Sequence, residues 1–510
     1  MQSWTSNRWW TRPCGGREVF ALAAPLVVST SCWTLMGFTD RMLLLWHSNA
    51  AIAAVLPASM LYTTVICLPF GLATYVGTFV AQYHGARRMR SIGRVTWQGI
   101  WLSLAAWAAV LATVPLVPGV IHLAGHPAEV ASLEATYYRV LSFGTGGLLV
   151  SAVLSGLFIG IGRTREVMMI EIASAGLNVV LDYAWILGRL GFPAWGVAGA
   201  AWATIVAEGT AAGAYFLLLR RSQFWRTFQL GHSWRFDAAL VVRLLRFGGP
   251  NGLQGVGEAA VYTLLVLLVG RLGEEALAAT NLALSVNNLA WLPVVGLGTA
   301  VATLVGQQLG RNRPRLAARA TSTASRAALV YTGLVALAFV GAPDLFLVAH
   351  ASGVGSERFD ELRQVTVTLL QFVAAYCIFD AVSLVYSSAL RGAGDTRFVL
   401  SATLAVSPWP MVACWIGVAV FGAGLYWCWA MMTLWICTLA TVFLVRFLQG
   451  RWREMRVIEP EPIGERLDDE PHAKAHLVYH EAVGAPEPRR AVPRPAGKKR
   501  VRKRLLRQVS

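Results

Sequence analysis

The sequence contains few charged residues, and this scarcity excludes an ordinary soluble protein. Asp, Glu, Lys and Arg make up 14% of the 510 residues, whereas a soluble chain usually carries about 25%. Lysine is absent before Lys474, and the remaining lysines lie close to the C-terminus. Most of the chain must therefore lie in an environment other than water.

Motifs for metal, redox or nucleotide chemistry are missing as well. The seven cysteines form no CxxC pair, and most lie in apolar stretches, so we interpret them as small buried hydrophobic residues. The nine histidines form no HExxH motif, and no GxxxxGK[ST] phosphate loop is present. Residues 1–16 lack the apolar core of a cleavable signal. We expect neither an ATP-driven pump nor an enzyme, and no cofactor.

In place of charged residues and catalytic motifs, the sequence contains long apolar segments. The chain is 56% hydrophobic and its mean hydropathy is +0.53, and a membrane-crossing helix needs about 20 such residues. We therefore predict an all-α integral membrane protein with about twelve spans. They lie near residues 18–46, 51–82, 95–119, 131–160, 166–188, 195–219, 241–270, 276–308, 319–343, 361–390, 398–420 and 423–447.

Arginine clusters fall on every second connection between the predicted spans. They lie near Arg88, Arg163, Arg226, Arg315 and Arg397, and the connections between them carry few basic residues. Cytoplasmic loops of membrane proteins are enriched in basic residues. This alternation predicts a multi-pass protein of the inner (plasma) membrane with both termini in the cytoplasm, and it explains the net charge of +17 without nucleic acid as a partner.

The second half of the chain repeats the first at an offset of 225 positions, beginning with Pro25 and Pro250. Further pairs at this offset are Gly71/Gly296, Gln82/Gln307, Gly85/Gly310 and Arg88/Arg313. Each half holds six predicted spans, an even number, so both halves enter the membrane from the same side. We expect two six-helix lobes related by a pseudo-twofold axis along the membrane normal, with a substrate site between them.

These features divide the chain into five parts. They are a cytoplasmic segment 1–17, an N-terminal six-helix lobe 18–220, a cytoplasmic linker 221–240, a C-terminal six-helix lobe 241–447 and a tail 448–510. The tail is rich in Pro, Glu and Arg and ends in a basic run, so we predict a disordered cytoplasmic segment. Two interpretations of the basic run stay open: contact with anionic lipids, or a solvated tail that sets topology.

Ionisable side chains inside a span are costly and mark candidate functional positions. Asn178 and Asp182 lie one helical turn apart, so they share a face and offer oxygen ligands for a cation or a site for a proton. Thr204 and Glu208 repeat this spacing on the sixth span, and Asp40 lies in the first. For each position the alternative is a structural polar group that bonds neighbouring helices.

The second half has its own intramembrane acids, Glu258 on the seventh span and Asp380 on the tenth. Neither has an arginine nearby in its own span, so the pair needs a cation or a proton in low dielectric. Pro25 and Pro250 lie inside the first and seventh spans, where a proline frees a backbone carbonyl and bends the helix. The first span is therefore expected to be a moving part, and Pro250 is expected to bend the seventh span.

The order and spacing of these residues resemble the multidrug and toxic compound extrusion (MATE) family over residues 18–447. The motifs are Pro25 followed by Asp40, Gln82-x-x-Gly85-Ala86, Gly160-x-Gly162-x-Thr164, Asn178-x-x-x-Asp182, Gly196-x-x-Gly199 to Thr204, Pro250 to Glu258, and Asp380 to Asp395. The resemblance implies a V-shaped pair of lobes and export of cationic, amphipathic compounds in exchange for Na⁺ or H⁺. It implies a cation or proton site in the N-terminal lobe at Asp40, Asn178, Asp182 and Thr204.

The resemblance also implies that Glu258 and Asp380 form the acidic pair of NorM-like members, and Glu208 is a candidate for an additional cavity position. Arg41 departs from the family, whose members often have a small polar residue there. Two alternatives remain: a flippase for lipid-linked precursors or oligosaccharides, and a membrane scaffold or enzyme that transports nothing. The buried charges are mainly acidic, which favours export of cations over a flippase with a basic cavity.

Overall fold

The computed structural model describes residues 7–346 and 356–460, and all regular elements among them are helices. The long helices are Gly16–His47, Asn49–Gly85, Met89–Thr113, Ala128–Gly160, Thr164–Leu187, Val197–Arg221, Ala238–Gly270, Glu274–Gly310, Pro314–Gly341, Ser356–Ala393 and Leu425–Gln449. Shorter helices are Asn7–Thr11, Val117–Ala124, Phe224–Thr227, Thr396–Val406 and Pro408–Phe421, with 3₁₀ turns at Val114–Leu116, Leu230–His232 and Arg451–Glu454.

Twelve membrane-length, apolar segments occur within the described part of the chain, and we number them span 1 to span 12 in chain order. Span 3 covers Met89–Leu123 and contains a 3₁₀ turn, and span 11 covers Thr396–Phe421 and is interrupted at Ser407, before Pro408. A proline removes a helical hydrogen bond and bends the axis, which explains both interruptions. The prediction of an all-α protein with about twelve spans is confirmed.

Local sequence explains where several spans begin and end. Ser48 caps span 2, because its side chain accepts a hydrogen bond of 3.0 Å from the backbone N–H of Ala51. Glycines with left-handed backbones terminate spans 5, 11 and 12, namely Gly188 (φ 67°), Gly422 (φ 62°) and Gly450 (φ 78°). Such glycines are the usual way to end a helix, since other residues are strained at positive φ.

Close helix crossings join the two halves, and they obey the sequence repeat. A Cβ on Gly71 would lie 2.4 Å from the Cα of Gly252, and a Cβ on Gly296 would lie 2.7 Å from the backbone N of Val27. Gly71 and Gly296 are a repeat pair, and Val27 and Gly252 differ by the same offset. The two crossings are therefore equivalent positions of one motif, as a pseudo-twofold relation requires.

Two glutamines at the ends of spans 2 and 8 also occupy equivalent positions in the two halves. The Nε2 of Gln82 donates to the carbonyl of Gly392 (3.0 Å), and the Nε2 of Gln307 donates to the carbonyl of Gly160 (2.8 Å). Each glutamine reaches from its own half into the other half. Buried backbone carbonyls need a partner, so these two side chains tie the halves together.

We call the place where the ends of spans 2 and 8 meet, around Gln82 and Gln307, the seam. The helices touch there through their backbones. A Cβ on Gly85 would lie 2.1 Å from the carbonyl oxygen of Gln307, and one on Gly310 would lie 2.1 Å from that of Gln82. Any larger residue would force the halves apart. Gly85 and Gly310 each end their helix immediately before one of the arginine clusters. These contacts therefore lie at the arginine-rich ends of the spans.

The start of the predicted tail is ordered, which corrects the expectation that residues 448–510 are disordered throughout. Span 12 continues to Gln449, a 3₁₀ turn follows, and Trp452 is fully buried. Its ring stacks on Phe447 with centroids 4.6 Å apart. This apolar contact holds the chain on the bundle through residue 459. Positions 461–510, including the basic run, lie outside the described residues.

Candidate functional site

The structure brings Asp40 of span 1 and Asp182 of span 5 together. Their carboxyl groups lie within hydrogen-bonding reach of each other, although they are far apart in sequence. Asp40 is 8% exposed, and Asp182 and the neighbouring Asn178 are fully buried. The packing of span 1 against span 5 therefore creates a closed acidic site inside the N-terminal half.

Polar atoms of this acidic site have no hydrogen-bond partner among the described residues. They are one carboxylate oxygen of Asp40, both oxygens of Asp182 and both polar atoms of the Asn178 amide. Two ionised carboxylates are both acceptors, so they cannot bond to each other until a proton or cation lies between them. Burial of unpaired polar groups and like charges is costly. A proton or a cation between the two carboxyl groups would satisfy them.

The oxygen atoms of this site suit a hard cation or a proton. Carboxylate and amide oxygens are ligands that hard cations prefer, and within the part of the chain that the structure describes there is no cluster of three His, Cys, Asp or Glu side chains. Sodium would take oxygen atoms of Asp40, Asp182 and Asn178. A proton would be shared by the two carboxyl groups.

Tyr137 of span 4 is a member of this site that sequence reasoning missed. It is buried, lies within electrostatic reach of both Asp40 and Asp182, and hydrogen-bonds with Ser59. A single tyrosine in an apolar span carries no signal in the sequence. Arg41, in contrast, is exposed and lies beside the preceding turn at Gly37. It does not enter the space between the two carboxyl groups.

A second acidic pair consists of Glu208 on span 6 and Glu171 on span 5. Glu208 is buried, bonds with Ser151 and lies within electrostatic reach of Glu171, and Glu171 accepts a hydrogen bond of 2.8 Å from the hydroxyl of Tyr215. Thr204 is half-buried, and its hydroxyl donates to a carbonyl of the preceding turn at 3.1 Å. Its oxygen remains able to accept a bond or to bind a cation.

Glu258 and Asp380 form the corresponding acidic group of the C-terminal half. Both are half-buried and lie within electrostatic reach of each other, and Tyr262 lies near both. The Nε2 of Gln254 donates to Glu258 at 2.9 Å. The structure thus brings together the two acids that the sequence had placed on different spans.

The structure gives Glu258 a basic neighbour that does not lie on its own span. The guanidinium of Arg391, at the end of span 10, acts electrostatically on Glu258 of span 7. Arg391 also donates to the hydroxyl of Ser388 (3.0 Å), and its carbonyl accepts from the hydroxyl of Tyr75 (2.8 Å). Glu258 is therefore partly balanced, whereas the charged neighbour of Asp380 is Glu258 itself.

The two span prolines lie beside the crossings between the halves. Pro25 is buried in span 1 and Pro250 is half-buried in span 7. Each precedes by two residues the position where its helix meets the other half, Val27 and Gly252 respectively. A helix bend at these points would change the seam directly.

A protein-family model identifies the family of this chain. The model MatE matches this chain twice, over residues 25–184 and 250–416. The chain belongs to the MatE family. The two matches begin at the repeated prolines Pro25 and Pro250, so the family model and the internal repeat divide the chain at the same points. The resemblance inferred from the motifs is confirmed.

Curated relatives agree with this family. A probable multidrug resistance protein NorM of Bradyrhizobium diazoefficiens is 28% identical over 426 residues, which cover 83% of this chain and 87% of the relative. A second NorM, of Burkholderia mallei, is 30% identical and covers 75% and 82%. The multidrug resistance protein PmpM of Pseudomonas aeruginosa is 28% identical and covers 76% and 80%.

Solved structures confirm the fold. An outward-facing multidrug resistance MATE transporter of the MOP superfamily aligns with a TM-score of 0.78 at 20% identity, over 89% of this chain and 100% of that one. A MOP superfamily transporter from Pyrococcus furiosus, described as having a binding pocket of reversed polarity, aligns with a TM-score of 0.75 at 22% identity, over 89% and 98%. This MatE chain is therefore a multi-pass membrane transporter.

Proposed function

We propose that this chain is a secondary active antiporter that exports cationic or amphipathic small organic compounds in exchange for Na⁺ or H⁺. The observation that carries the proposal is the buried site of Asp40, Asp182 and Asn178, whose polar atoms need a cation or proton. Relatives named for multidrug resistance support the substrate class. No catalytic activity and no cofactor beyond the coupling ion belong to the proposal.

The position of Asp40 explains how ion binding can be coupled to movement. Loading the site neutralises a repulsion between the carboxyl groups on spans 1 and 5. Span 1 also carries Pro25 and the crossing at Val27 with the other half. A change in the charge at Asp40 therefore acts on the same helix that forms the seam, and the ion biases an equilibrium between two arrangements of the halves.

Glu258 and Asp380 are the candidate contacts for an organic cation. Their side chains are half-buried, so a ligand between the halves can reach them, and their pairing leaves negative charge that Arg391 balances only in part. A coupling ion and a cationic substrate that use the same charge compete. Linkage requires the competition to be reciprocal.

The arginine-rich ends support an orientation with both termini in the cytoplasm of the inner membrane. In that orientation the seam of Gln82 and Gln307 lies on the cytoplasmic side. We also propose that the basic run of the tail, outside the described residues, contacts anionic lipids of the cytoplasmic leaflet.

Proteoliposomes with separately imposed Na⁺ and pH gradients test the proposed function. An exporter moves a cationic fluorescent dye only when one of the gradients is present, and that gradient identifies the coupling ion. A flippase moves a labelled lipid-linked precursor instead. No gradient-dependent movement of any cationic compound would contradict the proposal.

A further inference from the structure

Residues 451–459, which we call the strap, leave the end of span 12 and run across the arginine-rich end of the seam. The strap is anchored in its own half by Trp452, whose Nε1 donates to the carbonyl of Phe447 at 2.8 Å. The stacked rings of Phe447 and Trp452 add an apolar contact. The strap is therefore attached to the C-terminal half at this end.

The far end of the strap is bonded to the N-terminal half. The backbone N–H of Val457 donates to the Oε1 of Gln82 at 2.9 Å. The hydroxyl of Tyr83 donates to the Glu459 carboxylate at 2.8 Å, and Arg88 donates to the Glu459 carbonyl at 2.9 Å. These bonds join two parts of the chain that belong to different halves of the transporter.

Contacts to the C-terminal half hold the same end of the strap from the other side. Arg243, near the start of span 7, forms an ion pair with the Glu459 carboxylate, and Arg456 donates to the side chain of Asn312 at 3.3 Å. Glu459 thus lies between Arg243 and Arg88, one from each half. Charge-assisted hydrogen bonds of this type are about twice as strong as neutral ones.

Gln82 connects the strap to the seam itself. Its Nε2 donates to the carbonyl of Gly392 across the seam, and its Oε1 accepts from the Val457 N–H. The donor and the acceptor of one buried amide are therefore both bonded. The nitrogen bonds across the seam, and the oxygen bonds to the strap. Opening the seam at Gln82 must also disturb the strap.

We propose that the strap is a latch that stabilises the state in which the halves are joined at their arginine-rich end, and that its bonds to Gln82, Tyr83 and Arg88 must break before the halves separate there. Glu459 is the release point, because its side chain is 31% exposed. Only the transport measurement below rests on the proposed function, since opening of the seam can be measured without transport.

Spin labels test the latch directly. Arg90→Cys and Arg315→Cys place exposed labels on opposite halves next to the seam, in a background without the partly exposed Cys32, Cys67 and Cys437. Electron–electron double resonance on the full chain in nanodiscs measures the distance between them. Losing a charge-assisted bond in Glu459→Gln is expected to raise the long-distance population about tenfold.

Glu454→Gln is the matched control, because Glu454 carries the same charge on the same segment and is exposed. A long-distance population that grows in Glu459→Gln and not in Glu454→Gln supports the latch. Distributions that match wild type in both variants, or that shift equally in both, overturn it. The readout needs neither substrate nor an ion gradient, and it is the same for either orientation of the protein in the membrane.

Cross-linking provides a second test that does not depend on the behaviour of Glu459→Gln. A short bis-maleimide between Arg88→Cys and Glu459→Cys ties the strap to the N-terminal half and should lower dye transport at least about tenfold. The control link, between Arg243→Cys and Glu459→Cys, stays within one half and should leave transport near its level before linking. Unchanged transport after the first link overturns the latch. Absence of transport by the wild-type chain contradicts the proposed function, and the spin-label distances then still decide the latch.

Discussion

At the residue scale, the buried acids of the two halves differ in their surroundings. Asp40 and Asp182 are closed off from solvent and face each other without a hydrogen-bond donor between them, and the exposed Arg41 acts electrostatically on Asp40. Glu258 and Asp380 are half-buried, and Arg391 lies near Glu258. A closed site suits a small ion, and a more open site suits a larger organic cation. We therefore propose that the first pair couples the ion and that the second pair contacts the substrate.

Neutralising either acid of the closed site should uncouple transport without unfolding the protein. Asp40→Asn or Asp182→Asn puts an amide donor opposite the remaining carboxyl group, so the site is satisfied without an ion. Gradient-driven dye efflux should fall about 5- to 150-fold, the usual range of a coupling free energy, while elution in detergent stays unchanged. Glu275→Gln, an exposed charge at the start of a helix, is the control. Normal efflux in both Asp variants would remove them from the coupling mechanism.

Glu258→Gln and Asp380→Asn should instead change substrate binding. Each variant removes negative charge that an organic cation and the coupling ion share. We expect weaker binding of a cationic substrate and loss of its competition with Na⁺ or H⁺, measured as substrate Kd against ion concentration in purified protein. Variants that keep the wild-type ion dependence would show that these acids are structural and that coupling lies in the N-terminal half.

At the element scale, glycine crossings and helix caps determine how the spans meet. Gly85 and Gly310 allow backbone contact at the seam, and Asp237 anchors the first residues of span 7. The Asp237 carboxylate accepts from the backbone N–H of Leu240 at 3.1 Å and forms an ion pair with Arg94 of span 3. The linker between the halves is thereby attached to both of them.

The cap at Asp237 should give a pH-dependent stability. Burial would raise the pKa of Asp237, but the Leu240 N–H and the Arg94 guanidinium outweigh it and hold the pKa below 3.8. A lowered pKa means that the contribution is present above the ordinary pKa and is lost as pH falls through the lowered value. Asp237→Ala should cost about 1 kcal/mol at pH 7, seen as a lower Tm in detergent. The difference should shrink below about pH 4, and one that is independent of pH would contradict the ionic part of the cap.

At the scale of the whole molecule, the two halves share one fold but carry different buried acids. The equivalent crossings at Gly71 and Gly296 show that the halves kept a common geometry, while the acids inside them diverged. The strap adds an asymmetry, because it follows the second half and reaches Gln82 of the first half. The seam is therefore closed by symmetric glycines and by one asymmetric segment.

The orientation of the molecule can be tested by thiol labelling. Gln223→Cys lies in the linker that the arginine clusters predict to be cytoplasmic, and Arg189→Cys lies at the opposite ends of the spans. In a background without the partly exposed Cys32, Cys67 and Cys437, an impermeant maleimide should label the Arg189→Cys variant in intact cells and the Gln223→Cys variant only after lysis. Burial raises the pKa of native Cys14 to about 12, so this thiol stays protonated and unreactive. The reverse pattern would place the termini outside.

The sequence by itself determined the twelve spans, the repeat and the identity of the intramembrane acids. Apolar length and helix-ending residues such as Gly188 and Gly450 act locally, so they can be read without a fold. Only the tertiary structure decided that Asp40 faces Asp182, that Arg391 reaches Glu258 and that the strap is ordered. These facts depend on which helices pack together and on contacts between residues more than a hundred positions apart, which no local pattern encodes.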